Sequence, residues 1–165
     1  MKQTKTILLA EDNEGEFVLM HLALRKVDSD SMCRRVRDGE EAIRYLQGEG
    51  PYRDRQLYPF PNLLLLDLNM PLMNGFEVLR WIRRQPFLKH LVVTILSSSS
   101  AEDDIARACD SLVNSYLVKP MSPKRSWKWL EEVRVTGWNL IRRHTPPARE
   151  TGLRAGATEA RTATL

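Results

Sequence analysis

Five positions carry groups that could do chemistry together: the carboxylates of Glu11, Asp12 and Asp67, the Ser97 hydroxyl and the Lys119 ammonium. Each follows an apolar run short enough to be a strand. Asp67 closes Leu63-Leu64-Leu65-Leu66 and is followed by Leu68-Asn69-Met70-Pro71. A run this short, stopped by a carboxylate and then a proline, reads as a strand buried on both faces. In an open parallel α/β sheet, ligands gather at the carboxyl ends of the strands. Strand order 2-1-3-4-5 would bring all five groups to one edge. Carboxylates that close repel one another, and oxygen-only donors in a half-open site favour a hard cation, with Mg²⁺ keeping several waters. A carboxylate beside such a cation and a lysine is a reasonable nucleophile toward phosphorus, forming an acyl phosphate. The metal and Lys119 would neutralise the transferring phosphoryl group while Ser97 donates to one of its oxygens.

The intervening residues supply the scaffold. Thr6–Ala10 reads as a buried strand, followed by a helix to Val27 on which Phe17, Met20, Leu24 and Val27 recur at helical spacing. Met32–Arg37 has the look of an outer strand, Asp38-Gly39 a turn, and Glu40–Leu46 a helix burying Ala42, Ile43 and Leu46. The polar connection Gly48–Pro61 is long for a compact αβ unit, a length that points to a role of its own. Asn74 is an N-cap for a helix through Arg84 with Phe76, Leu79 and Ile82 inward. Leu91–Leu96 is the fourth strand, Glu102–Leu112 the fourth helix and Ser115–Val118 the fifth strand. Ser122 and Pro123 open a last helix carrying Trp127, Leu130 and Val133, with Trp129 off that stripe. Five strands alternating with five helices, joined by right-handed crossovers, make a doubly wound parallel sheet in three layers. The folded domain is expected over 4–142, and 143–165, rich in Thr, Ala, Gly, Pro and Arg, reads as a disordered tail.

The totals narrow the classes. A chain of 165 residues, 42% hydrophobic and 28% charged, suits one ordinary α/β core. No apolar run reaches the roughly 20 residues of a membrane span, and no secretory signal precedes the first strand, so a cytoplasmic protein is expected. Cys33 and Cys109 lie far apart without metal-ligand spacing and read as reduced thiols. The formal charge of +4 is spread among acids with no Lys/Arg block, which gives no footprint for nucleic acid. His21, His90 and His144 fall on no site strand end and read as solvated.

The acidic pair Glu11-Asp12, the block Asp67-x-x-Met70-Pro71-x-x-x-Gly75, Ser97 and Lys119-Pro120, in that order at four strand ends, resemble the receiver domains of two-component response regulators. The resemblance spans Lys5 to about Ile141. The Gly48–Pro61 loop and the run Asn114–Pro120 are similar to stand-alone receivers that serve phytochrome-type sensor kinases. This family has a flavodoxin-like fold. The resemblance implies that Asp67 accepts a phosphoryl group from a kinase phosphohistidine, that Asp12 binds Mg²⁺ directly and Glu11 largely through water, and that Asn69 offers the metal its backbone carbonyl. It implies that Ser97 and Lys119 hold the phosphoryl oxygens and that Tyr116 is the aromatic switch moving inward with Ser97. The expected output is a conformational change at the face of helix 4, strand 5 and helix 5, and the Lys119–Pro120 bond is expected cis. Two departures stand: Leu112, where the family usually ends its fourth helix on glycine, and Glu11, where the commoner residue is Asp, a change that the family tolerates.

The expected function is therefore a signalling phosphoacceptor that assists its own phosphorylation and dephosphorylation and is not otherwise an enzyme. Its expected partner is a sensor histidine kinase of the bacterial phytochrome class; a homodimer through apolar residues of the last helix stays open. Two other readings compete. An aspartyl-phosphate phosphatase or phosphotransferase acting on small esters would want an acid two residues after the nucleophile, where Asn69 stands. A constitutive adaptor would not need Asp12, Asp67, Ser97 and Lys119 together. Taken singly, Glu11-Asp12-Asn13 also reads as a helix cap and Tyr116 as a plain strand aromatic.

Overall fold

The structure, a computed structural model, describes residues 5–98 and 113–119. Five parallel strands form one sheet in the order β2-β1-β3-β4-β5: β1 (Thr6–Ala10), β2 (Met32–Val36), β3 (Leu63–Asp67), β4 (Val92–Ser97) and β5 (Ser115–Val118). This is the flavodoxin-like arrangement expected from the sequence. The described helices are α1 (Glu14–Val27), α2 (Gly39–Gln47) and α3 (Gly75–Arg84), with short 3-10 turns at Gly50–Tyr52 and Pro86–Leu88. The expected fourth and fifth helices, Leu112, Trp127, Trp129, His144, the tail and the bond to Pro120 lie outside the described residues.

Alternation along the central strands splits the core in two, as side chains of period two must. Leu8, Ala10, Leu64, Leu66, Val93 and Ile95 pack against Ala42, Tyr45 and Leu46 of α2 and Val78, Leu79 and Ile82 of α3. Ile7, Leu9, Leu63, Leu65, Val92 and Leu96 meet Met20, Ala23 and Leu24 of α1 on the other face. Covered on both sides, β1 and β3 are buried at every position. Each such leucine withdrawn from water contributes roughly 1.5–3 kcal/mol. The edge strand β2 is only half-buried over Met32–Arg35, which is why its sequence reads weakly.

Several expectations shift by a residue or a face. In α2 the fully buried aromatic is Tyr45, and Ile43 is only half-buried. In α3 Val78 takes the inward place expected of Phe76, which packs at the margin of the core. β4 runs from Val92 to Ser97, so Ser97 ends the strand itself, and β2 stops at Val36. His21 is half-buried and stacked on Phe17, with ring centroids 5.6 Å apart, and its Nδ1 has no hydrogen-bond partner among the described residues.

The Gly48–Pro61 connection is tied down on three sides. Gly48, at φ 73°, ends α2 in the left-handed conformation glycine favours. Arg55 then caps the same helix end, donating from Nη1 to the Tyr45 carbonyl and from Nη2 to that of Leu46, both at 2.8 Å. Tyr45, Tyr52 and Tyr58 pack ring against ring at centroid distances of 5.0–6.1 Å, and Tyr52 donates its hydroxyl hydrogen to Glu41.

Candidate functional site

The ladder of main-chain hydrogen bonds runs past the strand ends and so fixes where the site begins. Glu11 N–H donates to the Val36 carbonyl at 3.0 Å, Leu68 N–H to Leu96 at 3.2 Å and Lys119 N–H to Ser97 at 2.7 Å. Asp67 pairs with Leu96 and Ser97 with Val118 in register. Four of the five parallel strands thus deliver Glu11, Asp12, Asp67, Ser97 and Lys119 to one edge.

Ligand oxygens of Glu11, Asp12 and Asp67 lie within 4.8 Å of one another. Lys119 Nζ contacts Glu11 Oε2 at 2.6 Å and Asp67 Oδ2 at 2.9 Å. Glu11 has both oxygens engaged, since Oε1 accepts from Asn13 N–H at 3.1 Å. The exposed Asp12 carboxylate accepts no hydrogen bond among the described residues. Asn69, also exposed, donates its backbone N–H to Asp67 Oδ1 at 3.2 Å. Ser97 is fully buried and Tyr116 half-buried against the α2/α3 side of the core.

Charge in this pocket is governed by burial. Burial pushes the Glu11 and Asp67 carboxyls above their ordinary values, and Lys119, although it opposes the shift, does not cancel it. For Asp67 the charge of Glu16 adds to the rise. Burial alone would lower Lys119, but its contacts with Glu11, Glu16 and Asp67 outweigh that and hold the ammonium charged well beyond the usual lysine range. Two buried carboxyls and the exposed Asp12, facing one permanent cation, leave the cluster short of positive charge.

Two participants were not legible beforehand. Glu16 places its Oε2 2.6 Å from Lys119 Nζ. Arg35, on β2, reaches under the acidic loop and donates to the carbonyls of Glu11 at 3.0 Å and Asp12 at 2.9 Å. It also pairs with Glu14 and lies 4.6 Å over the Phe17 ring. Such a fork fixes the backbone from which both acids hang.

Behind Asp67 the chain turns back sharply. Met73 N–H donates to the Pro71 carbonyl at 2.7 Å around Leu72, which takes φ 65°. Gly75 then enters α3 against the Asp67 main chain, where a Cβ would stand 2.3 Å from the Asp67 carbonyl oxygen. Asn74 and Glu77 close a reciprocal capping box at that helix start.

A model of the response regulator receiver domain matches residues 7–131, and the chain belongs to that family. It is similar to the response regulator Rcp1 of Synechocystis sp., 38% identical over 137 residues that cover 78% of this chain and 91% of Rcp1. It is also similar to the probable methanogenesis regulatory protein FilR2 of Methanothrix harundinacea, 37% identical over 136 residues, 81% of this chain and 84% of FilR2. Among solved structures, the Mn²⁺-bound form of Rcp1 matches with a TM-score of 0.71 at 37% identity, over 78% of this chain and 91% of Rcp1. The phosphorylated cyanobacterial phytochrome response regulator RcpA matches with a TM-score of 0.73 at 37% identity, over 79% and 91%. The chain is thus a receiver-domain response regulator related to phytochrome response regulators. Receivers are in general signalling domains rather than enzymes, and phosphoryl acceptance is their general function. No helix among the described residues is long and apolar enough to cross a membrane.

Proposed function

We propose that this receiver, spanning 4–142, takes a phosphoryl group onto Asp67 from the phosphohistidine of a sensor kinase. The observation that carries the reading is the contact of Lys119 Nζ with Asp67 Oδ2 at 2.9 Å, inside a cluster of three carboxylates at one sheet edge. The donor set fits a divalent ion: it is all oxygen, short of positive charge, and includes an Asp12 carboxylate that no described residue occupies. Asp12, Asp67 and the Asn69 carbonyl would hold Mg²⁺, with Glu11, already committed to Lys119 and Asn13, acting through water. Held there, such an ion would supply positive charge against the phosphoryl oxygens. The Mn²⁺-bound Rcp1 structure supports a divalent ion in this kind of site.

Asp67 supplies the attacking oxygen, aimed by the Asn69 N–H on its other oxygen. Lys119 exchanges its contact with Asp67 for one with a phosphoryl oxygen, and Ser97 donates to another. Tyr116 would follow Ser97 inward and alter the face of helix 4, β5 and helix 5, shifting a two-state equilibrium toward the form that a downstream partner or a second copy binds. Likeness to RcpA favours a phytochrome-type kinase as the donor. Asp67→Asn should abolish labelling by a phosphorylated kinase, and chelating the divalent ion should suppress it in the natural chain. Undiminished labelling of Asp67→Asn would end this reading.

A further inference from the structure

Two helices of this chain start with the same pattern, and only one completes it. At Asn74-Gly75-Phe76-Glu77 the Asn74 side chain accepts from Glu77 N–H at 3.0 Å, and the Glu77 carboxylate accepts from Asn74 N–H at 2.9 Å. At Asn13-Glu14-Gly15-Glu16 the first half is present, with Asn13 Oδ1 accepting from Glu16 N–H at 3.0 Å. The second half is missing, because Asn13 N–H donates to Glu11 Oε1. Deprived of its capping partner, the Glu16 carboxylate turns to Lys119 Nζ at 2.6 Å, with 45% of its side chain still exposed. A fourth carboxylate therefore stands at the mouth of the site, sharing one nitrogen with Asp67.

We propose that Glu16 is a specificity-determining residue whose negative charge disfavours small anionic phosphodonors at Asp67. The inference rests on Asp67 being the phosphoacceptor. The Lys119 ammonium has three donors, and Glu11, Glu16 and Asp67 take them all. Only the Asp67 contact is released to an incoming phosphoryl group, and Glu16 neutralises part of the charge that Lys119 offers it. Glu16 also repels the donor directly, in a partly solvated setting where Coulomb forces are weakened but not abolished. Glu11 grips Lys119 without help from Glu16, so removing the Glu16 charge leaves the lysine in place. A docked protein donor has contacts elsewhere to offset the repulsion, whereas a small metabolite does not.

With acetyl phosphate, an Asp67 oxygen attacks phosphorus, the bond from phosphorus to the acetyl oxygen breaks, and acetate leaves with the electron pair. With phosphoramidate the phosphorus–nitrogen bond breaks and ammonia leaves. The first donor is a dianion and the second carries a net single negative charge, so they report on charge separately from chemistry. The test follows aspartyl phosphate formation in the full chain at saturating Mg²⁺, in the natural protein, Glu16→Gln and Glu16→Ala. Glu16→Gln should raise the rate with subsaturating acetyl phosphate roughly 3- to 10-fold, less with phosphoramidate, and the gain should shrink at high salt. Glu16→Ala should match it. An unchanged or slower Glu16→Gln overturns the inference, as does a gain equal for both donors and indifferent to salt. Loss of rate in Glu16→Ala with Glu16→Gln like the natural protein also overturns it, making Glu16 only a clamp on Lys119. If the natural chain takes no label on Asp67 from either donor, the acceptor reading fails and carries this inference with it. Label on Asp67 without an effect of residue 16 sinks the inference alone.

Discussion

Burial acts on single titratable residues throughout this sheet, and its effect depends on whether a partner is near. Glu11 and Asp67 are pushed up by burial with Lys119 pulling the other way, while half-buried Cys33 is pushed up to about 11 by burial alone. Because the folded protein favours the neutral thiol, Cys33 contributes stability below its unfolded value, and that contribution fades as pH rises toward 11. In a Cys109→Ser background, iodoacetamide at pH 8 should therefore modify Cys33 roughly 100-fold more slowly than a free thiol. A rate near that of a free thiol would show that strand β2 opens. The five candidate residues that the strands bring to one edge were legible because they stand at the ends of apolar runs. Glu16 was not, since an acid three residues after Asn13 reads as the return half of a capping box. Arg35 was hidden because a lone arginine on an edge strand reads as solvated surface, and its grip on the Glu11 and Asp12 carbonyls exists only once β2 lies beside β1.

At the scale of elements, the β3–α3 connection holds Asp67 from behind. Gly75 N–H donates to the Leu68 carbonyl at 3.0 Å, and the absent Cβ lets α3 start against the Asp67 backbone. Gly75→Ala must push apart two main-chain segments, costing roughly 1–3 kcal/mol by analogy with overpacked cores. A fall in the denaturant midpoint together with slower labelling of Asp67 is the expected outcome; unchanged values of both would show that the connection yields freely. The element types and most boundaries followed from period and turn residues, Thr6–Ala10 and Ser115–Val118 without adjustment. What local pattern missed was decided by tertiary packing. Tyr45 is drawn inward in place of Ile43 because Tyr52 and Tyr58 fold over it and the Pro59 carbonyl accepts its hydroxyl hydrogen at 3.0 Å. The long loop carrying Tyr52 and Tyr58 stands out in the sequence by its length alone; that it also covers the end of α2 becomes visible only through its tertiary contacts.

Across the whole molecule, strand order turns remote sequence positions into one site. With β1 and β3 adjacent and β4 and β5 beyond them, Lys119 comes within hydrogen-bond distance of Glu11, 108 residues earlier. Any exchange of strand neighbours would strand the lysine away from the acids, so fold and proposed chemistry stand together. The most direct test is to label the chain with a phosphodonor and Mg²⁺, reduce it with borohydride, and read the modified position by mass spectrometry. The account predicts conversion of residue 67 to homoserine, dependent on the divalent ion and absent without the donor. Reduction at another residue, or label that resists borohydride, would contradict it.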